Sequence, residues 1–210
     1  MKALPDPCLM LVTEPMPGLP EIVREAVRGG VNVVQYRDKR CPAEAYDTPY
    51  ARLQEVVRPG VPVLFNSDLS RIGAGPVDGL HLSENGIPIG DARRICPSQK
   101  LLVGRSVHSV ESAVQAEREG ADYVVAGSIF STPSHPGQSP RGLPFLEKVC
   151  HAVRIPVIAI GGVDPERAAA CLRAGAAGVA VLSAILKAAD PAAAAAAFWD
   201  ALCQAPNREE

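Results

Sequence analysis

Eight short apolar runs, helix-patterned segments between them and a mean repeat of about 26 residues predict a single-domain (β/α)8 TIM barrel for this 210-residue chain. The runs are 8–13, 31–37, 61–66, 78–82, 100–105, 122–126, 156–160 and 177–182. Their Val, Ile and Leu content is that of parallel strands buried on both faces. A doubly wound open sheet also alternates, but it uses fewer strands, and neither a phosphate-loop signature nor a Gly-x-Gly-x-x-Gly follows the first run.

The connecting segments carry their own start and stop signals. The segment 21–28 follows a Pro- and Gly-rich entry and stops at Gly29-Gly30. Ser109 is placed to cap a helix over 110–119, which Gly120 ends. Asp164-Pro165 combines a capping carboxylate with proline in the first turn, and Gly175 closes that helix. The alanine run 192–197, between Asp190-Pro191 and Phe198-Trp199, reads as the last helix, since alanine is the best helix former. The barrel domain is expected over 1–203, with a polar tail at 204–210.

Composition removes several function classes. There are 21 Lys plus Arg against 23 Asp plus Glu, a net charge of -2, so no nucleic-acid or membrane-surface partner is expected. Apolar residues make up 47% of the chain, too many for a disordered segment. No apolar stretch approaches the roughly 18 residues of a membrane span. The first residues, broken by Pro5 and Pro7, lack a signal-peptide core, and a cytoplasmic protein is expected. The six cysteines, at 8, 41, 96, 150, 171 and 203, form no Cys-x-x-Cys pair and read as reduced apolar fillers.

In a barrel of this kind chemistry gathers where the strands end. Alternation turns Gln35, Arg37 and Lys39 the same way at the end of the second strand, and an amide with two cations suits an anionic ligand. The competing reading there is an Arg–Asp pair that plugs the barrel. Asn66 ends the third strand as a ligand contact or an Asx turn. His81, inside an apolar strand, reads as a hydrogen-bonded core histidine. His108 falls in the loop after the fifth strand, and its near-neutral pKa suits proton transfer. The loop after the sixth strand offers Thr132 and Ser134 among turn formers, as lids and phosphate clamps do. Gly161-Gly162 after the seventh strand, with Leu182-Ser183 after the eighth, form a backbone anion site. These residues describe a small barrel enzyme acting on a phosphorylated small molecule.

The motifs are more specific as a set. Leu11-Val12-Thr13, the Gln35-x-Arg37-x-Lys39 run, Asp78-Gly79-Leu80-His81-Leu82, Thr132-Pro133-Ser134, the run 158–163 and the run 178–185 occur in that order. Over about residues 8–202 the chain resembles the thiamine phosphate synthase superfamily. That resemblance implies one of two chemistries. The synthase branch joins hydroxymethylpyrimidine diphosphate to thiazole phosphate, releases diphosphate and needs Mg²⁺. The TenI-type tautomerase branch isomerises a carboxythiazole phosphate to its aromatic form without a metal.

Gln35, Arg37, Lys39 and Asn66 match the synthase branch. Its metal carboxylates do not: Ser67 and Gly86 stand at the two Asp positions, and His135 replaces a loop lysine. Asp68 and Glu84 are offset in register. The segment Gly104-Arg105-Ser106-Val107-His108-Ser109 is similar to the tautomerase branch, where the histidine is the acid/base. The resemblance therefore implies a metal-independent thiazole tautomerase, with His108 moving the proton and Arg37 gripping the substrate carboxylate. Gln35, Lys39, Asn66, Thr132, Ser134, Gly161, Gly162, Leu182 and Ser183 would bind the rest of the substrate. No cofactor is expected, and Mg²⁺ enters only under the alternative, a thiamine phosphate synthase. A third reading is a non-catalytic barrel that binds a phosphorylated ligand. The expected partners are a small phosphorylated thiazole and, by analogy with barrels of this size, a second copy in a homodimer or higher homo-oligomer.

Overall fold

The computed structural model describes residues 3–38, 47–57, 59–66, 77–95, 101–132, 137 and 139–205. In chain order the elements are β1 (Cys8–Val12), α1 (Leu19–Arg28), β2 (Val33–Tyr36), α2 (Asp47–Val56), β3 (Val63–Asn66), β4 (Gly79–Leu82), α3 (Ile89–Ile95) and β5 (Leu102–Val107). They continue with α4 (Val110–Arg118), β6 (Tyr123–Gly127), α5 (Gly142–Ala152), β7 (Val157–Ile160), α6 (Pro165–Arg173), β8 (Gly178–Val181), α7 (Ser183–Leu186) and α8 (Pro191–Gln204). All eight strands pair in parallel, each with its sequence neighbour. Cys8 pairing with Gly178 and Leu11 with Val181 joins β1 to β8 and closes the barrel. The expected (β/α)8 TIM barrel is the observed fold.

Period-2 alternation sorts the strand residues into two apolar clusters. Cys8, Met10, Val12, Val33, Leu64, Leu102, Tyr123, Val125, Ile158 and Ala180 meet inside the barrel. Leu9, Leu11, Val34, Phe65, Val103, Val107, Val124, Ala159 and Val179 face outward, under the helices. The helices cover them with matching stripes. In α1, Leu19, Val23, Ala26 and Val27 are buried at helical spacing. The expected caps form: Ser109 Oγ accepts the Ser112 N–H at 3.0 Å, and Asp164 Oδ1 accepts the Arg167 N–H at 2.8 Å. Asp190 does the same for Ala193 at 2.9 Å, which starts α8 ahead of the alanine run.

Side-chain hydrogen bonds bind the strand starts together. Asn32 accepts from the Leu9 N–H and donates to the Pro7 carbonyl, each at 2.9 Å. Asp122 accepts from the Val103 N–H at 2.7 Å and from Arg93 at 2.8 Å.

The fifth strand departs from expectation. It runs over Leu102–Val107 rather than 100–105, because Ser106 and Val107 pair with Val125 and Ala126 of β6. Polar residues at 105 and 106 suggest a loop, but the neighbouring strand supplies hydrogen bonds that outweigh that local signal. Cys8 and Cys171 are buried, Cys150 is half-buried, Cys203 is exposed, and all four are free thiols. Burial, with Cys150 and Asp164 adding to it, pushes the Cys171 thiol up to about 12. No helix among the described residues is long and apolar enough to cross a membrane.

Candidate active site

The C-terminal ends of the strands carry an asymmetric rim. One arc, from β6 through β8 to β1, is apolar at the inner wall, with Val12, Val125, Ile160 and Leu182. The other arc, β2 to β5, is polar. Gln35 is 4% exposed, and its Nε2 donates to Asn66 Oδ1 at 3.0 Å across the β2–β3 pair. That bond fixes the half-buried Asn66 amide and leaves its Nδ2 group without a partner among the described residues. Alternation places Gln35 and Asn66 together on the inner face.

Arg37 follows β2. Its N–H donates to Oγ1 of the fully buried Thr13 at 2.9 Å, which ties the ends of β1 and β2. The side chain is half-buried, and no carboxylate pairs with its guanidinium among the described residues. Among the described residues the competing Arg–Asp plug is not formed at Arg37. Lys39, Ser134, Ser67, Asp68 and His135 lie outside the described residues.

His108 sits between the end of β5 and the Ser109 cap of α4. Glu84, in the loop after β4, clamps it: Oε1 accepts the His108 N–H at 2.9 Å and Oε2 meets the ring Nδ1 at 3.0 Å. Burial by itself raises the Glu84 carboxyl. Hydrogen bonds from the Ser112 hydroxyl, the His108 N–H and the His108 ring outweigh it and hold the group below its usual value. The ring is thereby oriented through Nδ1, with Nε2 left for a ligand.

His81 is 2% exposed inside the barrel, with Nδ1 3.1 Å from the Tyr123 hydroxyl and Nε2 2.9 Å from Ser106 Oγ. Burial, with the Arg105 charge adding to it, lowers its pKa to about 3, so it is neutral. The sequence-based expectation of a hydrogen-bonded core histidine holds.

On the opposite side, Gly161 and Gly162 leave β7 with φ of 101° and 62°. Both need glycine: a Cβ at 161 would overlap Ser128, and one at 162 would overlap the Ser131 carbonyl. The β6 loop is stitched to this turn, with Ile129 N–H on the Ile160 carbonyl at 2.8 Å and Phe130 N–H on the Gly161 carbonyl at 2.9 Å. Among the described residues, no backbone carbonyl accepts from the N–H of Gly161, Gly162 or Ser183. Those donors, just beyond the ends of the adjacent strands β7 and β8, suit an oxyanion. Thr132, half-buried in the β6 loop, lies on the same side.

A family model described as thiamine monophosphate synthase matches residues 9–185. The chain belongs to the thiamine monophosphate synthase family. It is 43% identical over 186 residues to a thiamine-phosphate synthase of Roseiflexus castenholzii, covering 88% of this chain and 81% of that one. It is 41% identical to the thiamine-phosphate synthase of Natronomonas pharaonis, covering 87% and 86%. A solved thiamine phosphate pyrophosphorylase from Pyrococcus furiosus superposes with a TM-score of 0.84 at 32% identity, over 95% of this chain and 98% of that one.

These relatives correct the expected tautomerase reading, and with it the isomerase class and the tautomerase branch. They carry synthase or pyrophosphorylase names across nearly the whole barrel, whereas the tautomerase reading rested on the six-residue segment 104–109 and on the residues that replace the metal carboxylates and the loop lysine. The physical reason is visible in that segment. Ser106 and Val107 extend β5 against β6 and Ser109 caps α4, so the segment's residues serve the barrel itself and are not specific to carbon-proton transfer.

Magnesium is the group the synthase branch implies, and the donors among the described residues do not fit it. Gly86 offers no side-chain oxygen, and its N–H closes a turn onto the Ser83 carbonyl at 3.0 Å. The Glu84 carboxylate is engaged by His108 and Ser112. No group of three His, Cys, Asp or Glu among the described residues could hold a metal ion.

Sequence reasoning did not join Glu84 to His108 and gave no role to Tyr123 or Ser106. Glu84 lies 24 residues from His108, beyond any local pattern. Ser106 was detectable, since it shares the inward alternation of Gly104 once the strand is extended to Val107.

Proposed function

We propose that this chain is a thiamine-phosphate synthase. It would join hydroxymethylpyrimidine diphosphate to thiazole phosphate and release diphosphate. The observation that carries this reading is the 43% identity to a protein of that name over 88% of the chain. In the reaction the carbon–oxygen bond to diphosphate breaks and its electron pair leaves with the diphosphate. The thiazole nitrogen lone pair forms the new carbon–nitrogen bond, and the ring becomes cationic. No proton leaves carbon, so His108 is not required as a base. Its Nε2, presented by the Glu84 clamp, serves as a hydrogen-bonding group at the rim.

The barrel's two arcs divide the work. Arg37, without a carboxylate partner among the described residues, meets the diphosphate, with Lys39 following on the same edge in sequence. Asn66, held by Gln35, supplies amide donors beside them. The N–H groups of Gly161, Gly162 and Ser183, with Leu182 packed below, receive the thiazole phosphate, with Thr132 on the same side and Ser134 a further candidate contact from the sequence. The apolar arc keeps water from the cationic carbon. The leaving-group charge falls on these cations and donors, since the carboxylate pair for Mg²⁺ is missing.

The test is a condensation assay with both substrates, run over a range of Mg²⁺ and again in EDTA, with thiamine phosphate separated chromatographically. Product is expected in proportion to protein. Arg37→Ala should lower kcat/KM by roughly 10- to 100-fold, the loss of charge-assisted bonds of about 1.5–3 kcal/mol. Absence of product at every Mg²⁺ concentration overturns the reading.

A further inference from the structure

The barrel interior contains one polar chain that the proposed reaction does not use. Tyr123 is fully buried, His81 is 2% exposed and Ser106 is half-buried on the inner face of β5 near its C-terminal end. The Tyr123 hydroxyl lies 3.1 Å from His81 Nδ1, and Ser106 Oγ lies 2.9 Å from His81 Nε2. Tyr123 takes its place because residue 104 is glycine: a Cβ there would overlap the phenol ring.

Proton positions follow from counting donors. Burial pushes the Tyr123 phenol well above its usual range, so it keeps its proton. Among the described residues the only hydrogen-bond partner of that hydroxyl is His81 Nδ1. The phenol therefore donates to Nδ1. A neutral imidazole that accepts at Nδ1 carries its proton on Nε2. That Nε2–H donates to Ser106 Oγ. The Ser106 hydroxyl accepts from below, and its own proton has no acceptor among the described residues. The opposite tautomer would reverse every bond, and Ser106 would then present only lone pairs to the mouth.

We infer that Tyr123 and His81 are positioning residues that fix the His81 tautomer and thereby set Ser106 as a hydrogen-bond donor to an anionic oxygen of the ligand in the barrel mouth. The ligand class, a phosphate or diphosphate, rests on the proposed function. The direction of the proton chain does not.

Two measurements test this. The first is nitrogen-detected NMR of the labelled protein, with His81 assigned by loss of its signals in His81→Gln. His81 should be protonated at Nε2 and bare at Nδ1. In Tyr123→Phe the single tautomer should give way to a mixture. A wild-type ring protonated at Nδ1 overturns the inference. The second is calorimetric binding of inorganic diphosphate. Ser106→Ala should weaken binding about tenfold, the loss of one hydrogen bond to a charged acceptor. Tyr123→Phe should weaken it less, and the double variant no more than Ser106→Ala alone. Additive losses, or no diphosphate binding by the wild type, overturn it. A Tyr123→Phe protein that retains its tautomer also overturns it, whether or not it folds less stably. Condensation activity is scored separately, so an inactive protein with non-additive binding defeats the proposed function and leaves this inference standing.

Discussion

Acid should destabilise this barrel through one buried ring, and the size of the effect follows from its surroundings. His81 is neutral in the folded state, with a pKa of about 3, whereas an exposed histidine in the unfolded chain titrates near ~6.5. The unfolded state therefore takes up a proton that the folded state refuses, and stability falls as pH drops below ~6.5. Between pH 7 and pH 5 this one group removes about 2 kcal/mol, and below pH 6 the slope approaches about 1.4 kcal/mol per pH unit. The decline should continue until the folded ring itself titrates, at about pH 3. His81→Gln retains a donor and an acceptor but cannot titrate. Urea unfolding of both proteins at pH 7, 6 and 5 isolates the contribution, because His108 and His151 are common to both. The wild type should lose about 2 kcal/mol more than the variant over that range. Equal pH dependence in the two proteins refutes the reasoning.

Two further outcomes follow from local geometry. Gly162→Ala places a Cβ on the Ser131 carbonyl at a φ of 62°, so it should cost roughly 1–3 kcal/mol and displace the phosphate-side loop, read as a lower Tm and a raised KM for thiazole phosphate. Asp190→Ala removes the cap of α8 far from the mouth, so Tm should fall by roughly 2–4 °C, for a loss of about 1 kcal/mol, while the condensation rate is unchanged.

The fold was legible because its signals are local. Apolar runs marked all eight strands, and Ser109, Asp164 and Asp190 announced three helix starts within a residue of where they occur. Much of the rim was legible for the same reason. Gln35 and Asn66 meet because both point inward from neighbouring strands, and Gly161-Gly162 marks a turn that only glycine can make. The tautomerase expectation rests on the Gly104–Ser109 segment and on the residues at 67, 86 and 135, and these few positions do not outweigh identity along the whole barrel.

The sequence by itself determined the parallel barrel, its order and which polar residues stand at the strand ends, since alternation, caps and glycine turns act over a few residues. Only the tertiary structure decided what those polar groups do to one another. Closure of the barrel buries His81 between Tyr123 and Ser106, brings Glu84 onto His108, and leaves the Arg37 guanidinium without a partner among the described residues. Those relations depend on desolvation and on distances between side chains 24 to 42 residues apart, and no pattern along the chain encodes them.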